Sequence, residues 1–184
     1  MIKLLLVVGT RPNYIKISQF KKVAARQFKD IFDIKIVHTG QHYDKAMADD
    51  FFKQLDIYPD YALNISQDSA NTQIGEIMIR LEEVIKNFKP QVIIVPGDVN
   101  STLAAAITAN KMDIPLAHLE SGLRSLDRTM PEEINRILVD EITDLFFVTE
   151  QSGMDHLKAE GKLASHIHFV GNTMIDTLVA FKDI

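Results

Sequence analysis

The chain has 184 residues, enough for one sizeable domain; 46% of them are hydrophobic and 24% charged, a balance that permits a substantial core. A net charge of −5 excludes a general electrostatic affinity for nucleic acid or anionic lipid, so any phosphate site must be local. The absence of cysteine excludes disulfides and thiolate chemistry.

The first apolar run, ending at Val8, is too short for the core of a signal peptide and is cut off by Gly9-Thr10-Arg11-Pro12. No run approaches the roughly 18 apolar residues of a membrane helix, so the expected location is cytoplasmic. Strands are predicted at Lys3–Val8, Ile34–Thr39, Val92–Val95, Leu116–Leu119, Leu145–Val148 and Ile167–Val170. Each is a nearly continuous apolar run, as strands covered on both faces require. Between them, helices are expected over Pro12–Phe28, Lys45–Leu55, Asn100–Met112, Glu132–Ile142, Glu150–Glu160 and Thr173–Phe181. A further one carries Ile74, Ile77, Met78, Leu81, Ile85 and Phe88 along a single helical face. Tyr58–Ser69, with Pro59 and a polar patch, reads as a loop. Strands alternating with helices specify an α/β fold, a doubly wound parallel sheet of Rossmann-like type. Such sheets place ligands at the carboxyl ends of their strands.

The informative residues sit there. Gly9-Thr10-Arg11-Pro12 follows the first strand, where exposed N–H groups, Arg11 and Lys16 favour an anion. It is neither a dinucleotide nor a P-loop fingerprint, and a plain turn with two solvated cations is the alternative. Thr39-Gly40-Gln41-His42-Tyr43-Asp44 brings polar donors and an imidazole to the same edge, although a histidine in a turn is ordinarily structural. Asp98, in Pro96-Gly97-Asp98-Val99-Asn100-Ser101, is either a carboxylate poised for acid–base work or part of a helix cap. His118 and Glu120 alternate with Leu119 and would share a face if the strand runs that far. As a metal pair they lack further ligands at a recognisable spacing. Glu132, in Met130-Pro131-Glu132-Glu133, opens a helix, where acidic residues are expected for dipole reasons alone. Gathered on one rim, these carboxylates and cations describe a site for an anionic substrate with acid–base chemistry at its neutral part.

The runs Gly9-Thr10-Arg11-Pro12 with Lys16, Thr39–Asp44, Gly97-Asp98, Glu120–Ser125, Pro131–Arg136 and Gly171-Asn172-Thr173 occur in an order that resembles the UDP-N-acetylglucosamine 2-epimerase family. Pro12, where hydrolysing members usually have Ala, points to the non-hydrolysing branch; Asn13 stands where that branch often has Glu. The resemblance implies a glycosyltransferase-B-like architecture of two Rossmann-like halves with substrate between them. Residues 1–184 would form the N-terminal domain only, without the C-terminal nucleotide-binding domain. The implied reaction interconverts UDP-N-acetylglucosamine and UDP-N-acetylmannosamine by elimination and re-addition of UDP, as in cell-envelope polysaccharide biosynthesis. No metal, cofactor, nucleic acid or membrane partner is implied, and the full-length protein is expected to be a homodimer. By similarity Asp98, Glu120 and Glu132 are the catalytic carboxylates, and Arg11 and Lys16 contact the diphosphate. Gln41 and His42 line the cleft, in some bacterial members as part of a second, activating UDP-sugar site. Because family members are about twice as long and draw a catalytic histidine from their second half, the 184-residue chain alone is expected to be inactive. The alternatives are a glycosyltransferase of the same architecture, or a UDP-sugar-binding or subunit-forming module.

Overall fold

The computed structural model describes residues 1–41, 52–66 and 68–182. Seven strands form one sheet: β1 (Ile2–Val8), β2 (Phe32–His38), β3 (Tyr61–Ala62), β4 (Val92–Pro96), β5 (Leu116–Leu119), β6 (Leu145–Val148) and β7 (Ile167–Phe169). Their order is β3-β2-β1-β4-β5-β6-β7 and every pairing is parallel. From β1 the chain builds outward to β2 and β3, then returns to lay β4 on the other side of β1. The carboxyl ends of β1 and β4 therefore flank the crevice where the direction of winding reverses.

The α-helices described from end to end are α1 (Arg11–Ile17), α2 (Phe20–Gln27), α3 (Ala70–Phe88), α4 (Asn100–Lys111), α5 (Pro131–Glu141), α6 (Gln151–Ala159) and α7 (Thr173–Phe181). Strand alternation divides the core. Leu5, Val7, Ile93, Val95 and Leu116 pack with Ile77, Leu81 and Ile85 of α3, the alanines of α4 and Val139 of α5. Leu6, Val8, Ile36, Ile94, Ala117 and Leu119 face the other way, onto Tyr14 and Ile17 of α1 and onto Phe52, Leu55 and Ile57. The all-apolar strands follow from this two-sided covering.

Three expectations are corrected. The stretch Pro12–Phe28 is two helices, broken at Ser18-Gln19, where the buried Ser18 hydroxyl lies 2.6 Å from that of Thr177 on α7. The stretch Tyr58–Ser69 includes an edge strand, with Leu63 N–H bonded to the His38 carbonyl and Asp60 bonded to Ile36 N–H. The strand β5 ends at Leu119, so His118 and Glu120 do not share a face. Most of the expected helix Lys45–Leu55 lies outside the described residues.

Candidate functional site

The β1–α1 turn is closed by its own chain. Asn13 is buried, and its Oδ1 accepts from Gly9 N–H, Thr10 N–H and Thr10 Oγ1, each at 3.1 Å; its Nδ2 donates to Pro96 O across the crevice. The Gly9 and Thr10 N–H groups, expected to face an anion, are thus used internally, which leaves Arg11 and Lys16 as the charged groups of this turn. Arg11 is exposed in the first turn of α1. Lys16, one turn on, reaches across the crevice to Glu120, pairing through Nζ and Oε2 with both side chains mostly buried.

Glu120 is presented by an unusual backbone. It follows β5 directly, has φ +70°, and bonds through its N–H to Phe147 O on β6. That conformation turns its side chain away from the direction of His118 and over the crevice. Gly97, with φ +69°, lies beneath the ion pair; a Cβ there would sit 3.1 Å from Lys16 Nζ and 3.8 Å from Glu120 Oε2. Its N–H bonds Leu119 O at 3.0 Å, and Asn13 and Glu120 close over it.

Asp98 follows in the same turn. It does not cap α4, whose N-cap is Val99 without a side-chain bond. Instead its Oδ2 accepts from Arg136 Nε at 2.9 Å and the terminal nitrogen Nη2 at 2.6 Å, while Asn135 donates to its carbonyl. Both donors come from α5. Glu132, in the first turn of that helix, is exposed, whereas Glu133 is buried. Glu133 accepts from Ser125 N–H, Leu126 N–H and Arg136 Nη1. Burial opposes its ionisation, but the backbone N–H bonds and Arg136 outweigh this and hold its pKa below the usual carboxylate range.

Gln41 is buried on the same rim, where its Oε1 accepts from Ser101 N–H at 2.9 Å and Ser101 Oγ at 2.6 Å. Thr39 Oγ1 lies 2.8 Å from the same hydroxyl, so the end of β2 is tied to the start of α4. The tie passes over Gly9, where a Cβ would collide with the Ser101 side chain. His42 lies outside the described residues.

Beneath lies a set in which the sequence pointed to His118 but not to its partner Asp140. His118 is fully buried, with Nδ1 2.7 Å from Asp140 Oδ1 and Nε2 2.8 Å from Gly97 O. Both ring nitrogens thus face an oxygen able to accept a hydrogen bond. Asp140 Oδ2 accepts from Gly122 N–H and from Arg124, which also forms a two-pronged pair with Glu160. Burial opposes ionisation of Asp140, but the charge and hydrogen bond of His118, followed by those of Arg124, leave its pKa lowered. Among the described residues no three His, Asp or Glu side chains are grouped to hold a metal.

Arg11, Lys16, Gln41, Asp98 and Glu120 thus all follow carboxyl ends of β1, β2, β4 and β5. Lys16 and Glu120 touch; Asp98 meets Arg136, Gln41 meets Ser101, and Glu132 stands apart on the surface. Two cation–carboxylate pairs on neighbouring strands leave groups able to accept a proton beside groups able to hold an anion.

Comparison with known proteins places this arrangement. The family model for UDP-N-acetylglucosamine 2-epimerase matches residues 24–184. A UDP-N-acetylglucosamine 2-epimerase homolog of Methanococcus maripaludis is 44% identical over 97% of this chain and 49% of its own length. The UDP-2,3-diacetamido-2,3-dideoxy-D-glucuronate 2-epimerase of Pseudomonas aeruginosa is 43% identical over 98% of this chain and 51% of its own length. The crystal structure of Methanocaldococcus jannaschii UDP-GlcNAc 2-epimerase in complex with UDP-GlcNAc and UDP superposes with a TM-score of 0.91 at 40% identity, covering 97% of this chain and 49% of that one. The chain therefore spans about half the length of the relatives it matches. By motif order, sheet topology and this match, the chain belongs to the UDP-N-acetylglucosamine 2-epimerase family.

Proposed function

We propose that this chain forms the N-terminal half of the cleft of a UDP-N-acetylglucosamine 2-epimerase, which interconverts UDP-N-acetylglucosamine and UDP-N-acetylmannosamine. The observation that carries this reading is the convergence of Lys16, Glu120 and Asp98 at the winding reversal of a sheet of this family. The proton on the sugar C2 is weakly acidic. Inverting that carbon takes a carboxylate to remove the proton from one face and a second group to return it from the other. With Asp98 and Glu120 in these steps, C2 loses its proton, the C1–oxygen bond to UDP breaks, and a 2-acetamidoglucal forms. Re-addition of UDP and a proton from the opposite face completes the inversion. Arg11 and Lys16 offset charge gathering on the departing diphosphate. Glu132, exposed in the first turn of α5, is the third carboxylate of this reading.

The second half of the cleft would come from a glycosyltransferase-B-like second domain, consistent with relatives twice this length. The apolar surface of α7 offers contact area for it: Ile175, Leu178 and Val179 are all exposed. In this reading the 184 residues alone turn over no substrate, and the complete enzyme is a soluble homodimer. Incubation with UDP-N-acetylglucosamine in heavy water tests it. Deuterium should enter C2 only when the remaining half is supplied, and absence of exchange in the completed protein overturns the reading. The 43% identity to the Pseudomonas enzyme favours a second substrate, UDP-2,3-diacetamido-2,3-dideoxy-D-glucuronate, through the same chemistry. Running both nucleotide sugars side by side in the exchange assay distinguishes them.

A further inference from the structure

We propose that His118 and Asp140 are positioning residues that hold the two carboxylate-bearing turns, Gly97-Asp98 and Glu120–Gly122, in a single register. The idea rests on the epimerase reading only for what the two positioned carboxylates do.

The turn after β4 hangs on Gly97. Its N–H is bonded to Leu119 O, and its carbonyl accepts from His118 Nε2 at 2.8 Å. Both bonds are to β5, so β5 sets where Gly97 lies, and with it the next residue, Asp98. The turn after β5 hangs on Asp140, which accepts from Gly122 N–H at 3.0 Å and lies 2.7 Å from His118 Nδ1. One imidazole and one carboxylate, both almost fully buried, thus join a carbonyl beneath Asp98 to an amide two residues beyond Glu120. A ring with a nitrogen hydrogen-bonded at each end is a rigid spacer of fixed length, unlike a flexible chain.

The groups around the pair close off other roles. Arg124 occupies the remaining side of the Asp140 carboxylate. Neither His118 nor Asp140 bonds Lys16, Glu120 or the Asp98 side chain directly. They act through Gly97 and Gly122, and replacing them moves the carboxylates without removing one. An active centre tolerates such displacement poorly, since an error of about 1 Å can cost on the order of 10²-fold in rate.

The test begins with the 184-residue chain, without substrate. In His118→Phe, which removes both ring nitrogens, amide exchange at Gly97 and Gly122 should accelerate at least about tenfold relative to the amides of α3, as a local opening does. Asp140→Asn, which keeps the volume, should act at the same two amides. Uniform acceleration across the sheet, or failure of both variants to fold, overturns the proposal in favour of plain stabilisation. In the completed enzyme Asp140→Asn should lower kcat by roughly 10–100-fold with KM changed less than about threefold. An unchanged kcat also overturns it. If the wild-type completed enzyme shows no C2 exchange, the epimerase reading falls while the amide measurements still decide the coupling of the turns.

Discussion

On one face of the sheet α3, α4, α5 and α6 lie over every strand from β1 to β7, and Leu5, Ile93, Leu81 and Val139 are sealed beneath them. On the other, α1 covers only the carboxyl end. Below it α2 and α7 diverge over a cavity of about 550 Å³ whose floor is Leu4, Phe32 and Ile34 and whose walls include Phe20, Val23, Phe28 and Val179. Adjacent residues of β1 therefore have different surroundings: Leu5 has no exposed surface, while Leu4 remains half-buried. The closed face buries its core side chains almost fully. The open one retains apolar surface around this cavity.

The largest effect that tests this contrast is Leu5→Ala. It should cost about 2–5 kcal/mol, read as a lower midpoint in urea unfolding, because the sealed face cannot collapse around the lost methyls. A loss below about 1 kcal/mol would break the comparison.

Acid should then separate the faces. His38, stacked near Tyr14 and Phe52 on the α1 side, has its pKa lowered to about 4 by burial, with a backbone bond to Val8 partly opposing this. The unfolded chain takes up a proton near the ordinary histidine value of 6.5 that the folded chain refuses. The associated stability is complete above that pH, is lost as pH falls toward about 4, and amounts to at most roughly 3 kcal/mol. Asp140 and Glu133, on the α5 side, have lowered pKa values, so their contribution is present above the ordinary carboxylate pKa and is lost only below it. His38→Leu should flatten the stability profile between pH 6.5 and 4 and leave the lower limb intact.

Smaller effects belong to the open face. Leu4→Ala should cost less than about 1.5 kcal/mol by the same unfolding measurement, and a loss equal to that of Leu5→Ala would show the cavity to be well packed. Leu178→Ser, on the exposed surface of α7, should change the midpoint by no more than about 0.5 kcal/mol in this chain.

The closed face was also the more legible. Leu116–Leu119 and Leu145–Val148 agree with the sequence pattern residue for residue, because a strand covered on both faces leaves a continuous apolar run. Tyr61–Ala62 leaves none: two residues become a strand only by meeting β2. The break at Ser18-Gln19 was equally hidden, since no proline or glycine marks it and the stabilising partner, Thr177, is 159 residues away. At the rim the sequence placed Arg11, Gln41, Asp98 and Glu120 on the correct edge, because each directly follows a strand. It did not reveal the groups that hold them. Asp140 lies in what reads as an ordinary amphipathic helix, and its relation to His118 exists only once β5 and α5 are packed. Glu132 and Glu133 are neighbours of one composition, and only the tertiary course of Ser125-Leu126 distinguishes the buried acceptor from the exposed one.

Glu120 occupies a backbone conformation, φ +70°, in which a glycine would be at ease and a side chain is held at a disadvantage. Anyone improving this protein by selecting for heat resistance alone should therefore be wary of that position. A Glu120→Gly exchange relieves the left-handed backbone while it deletes the partner of Lys16. Survivors of such a screen would be sturdy and lack the Lys16–Glu120 pair, so a screen on this scaffold needs a readout for that pair alongside the one for melting.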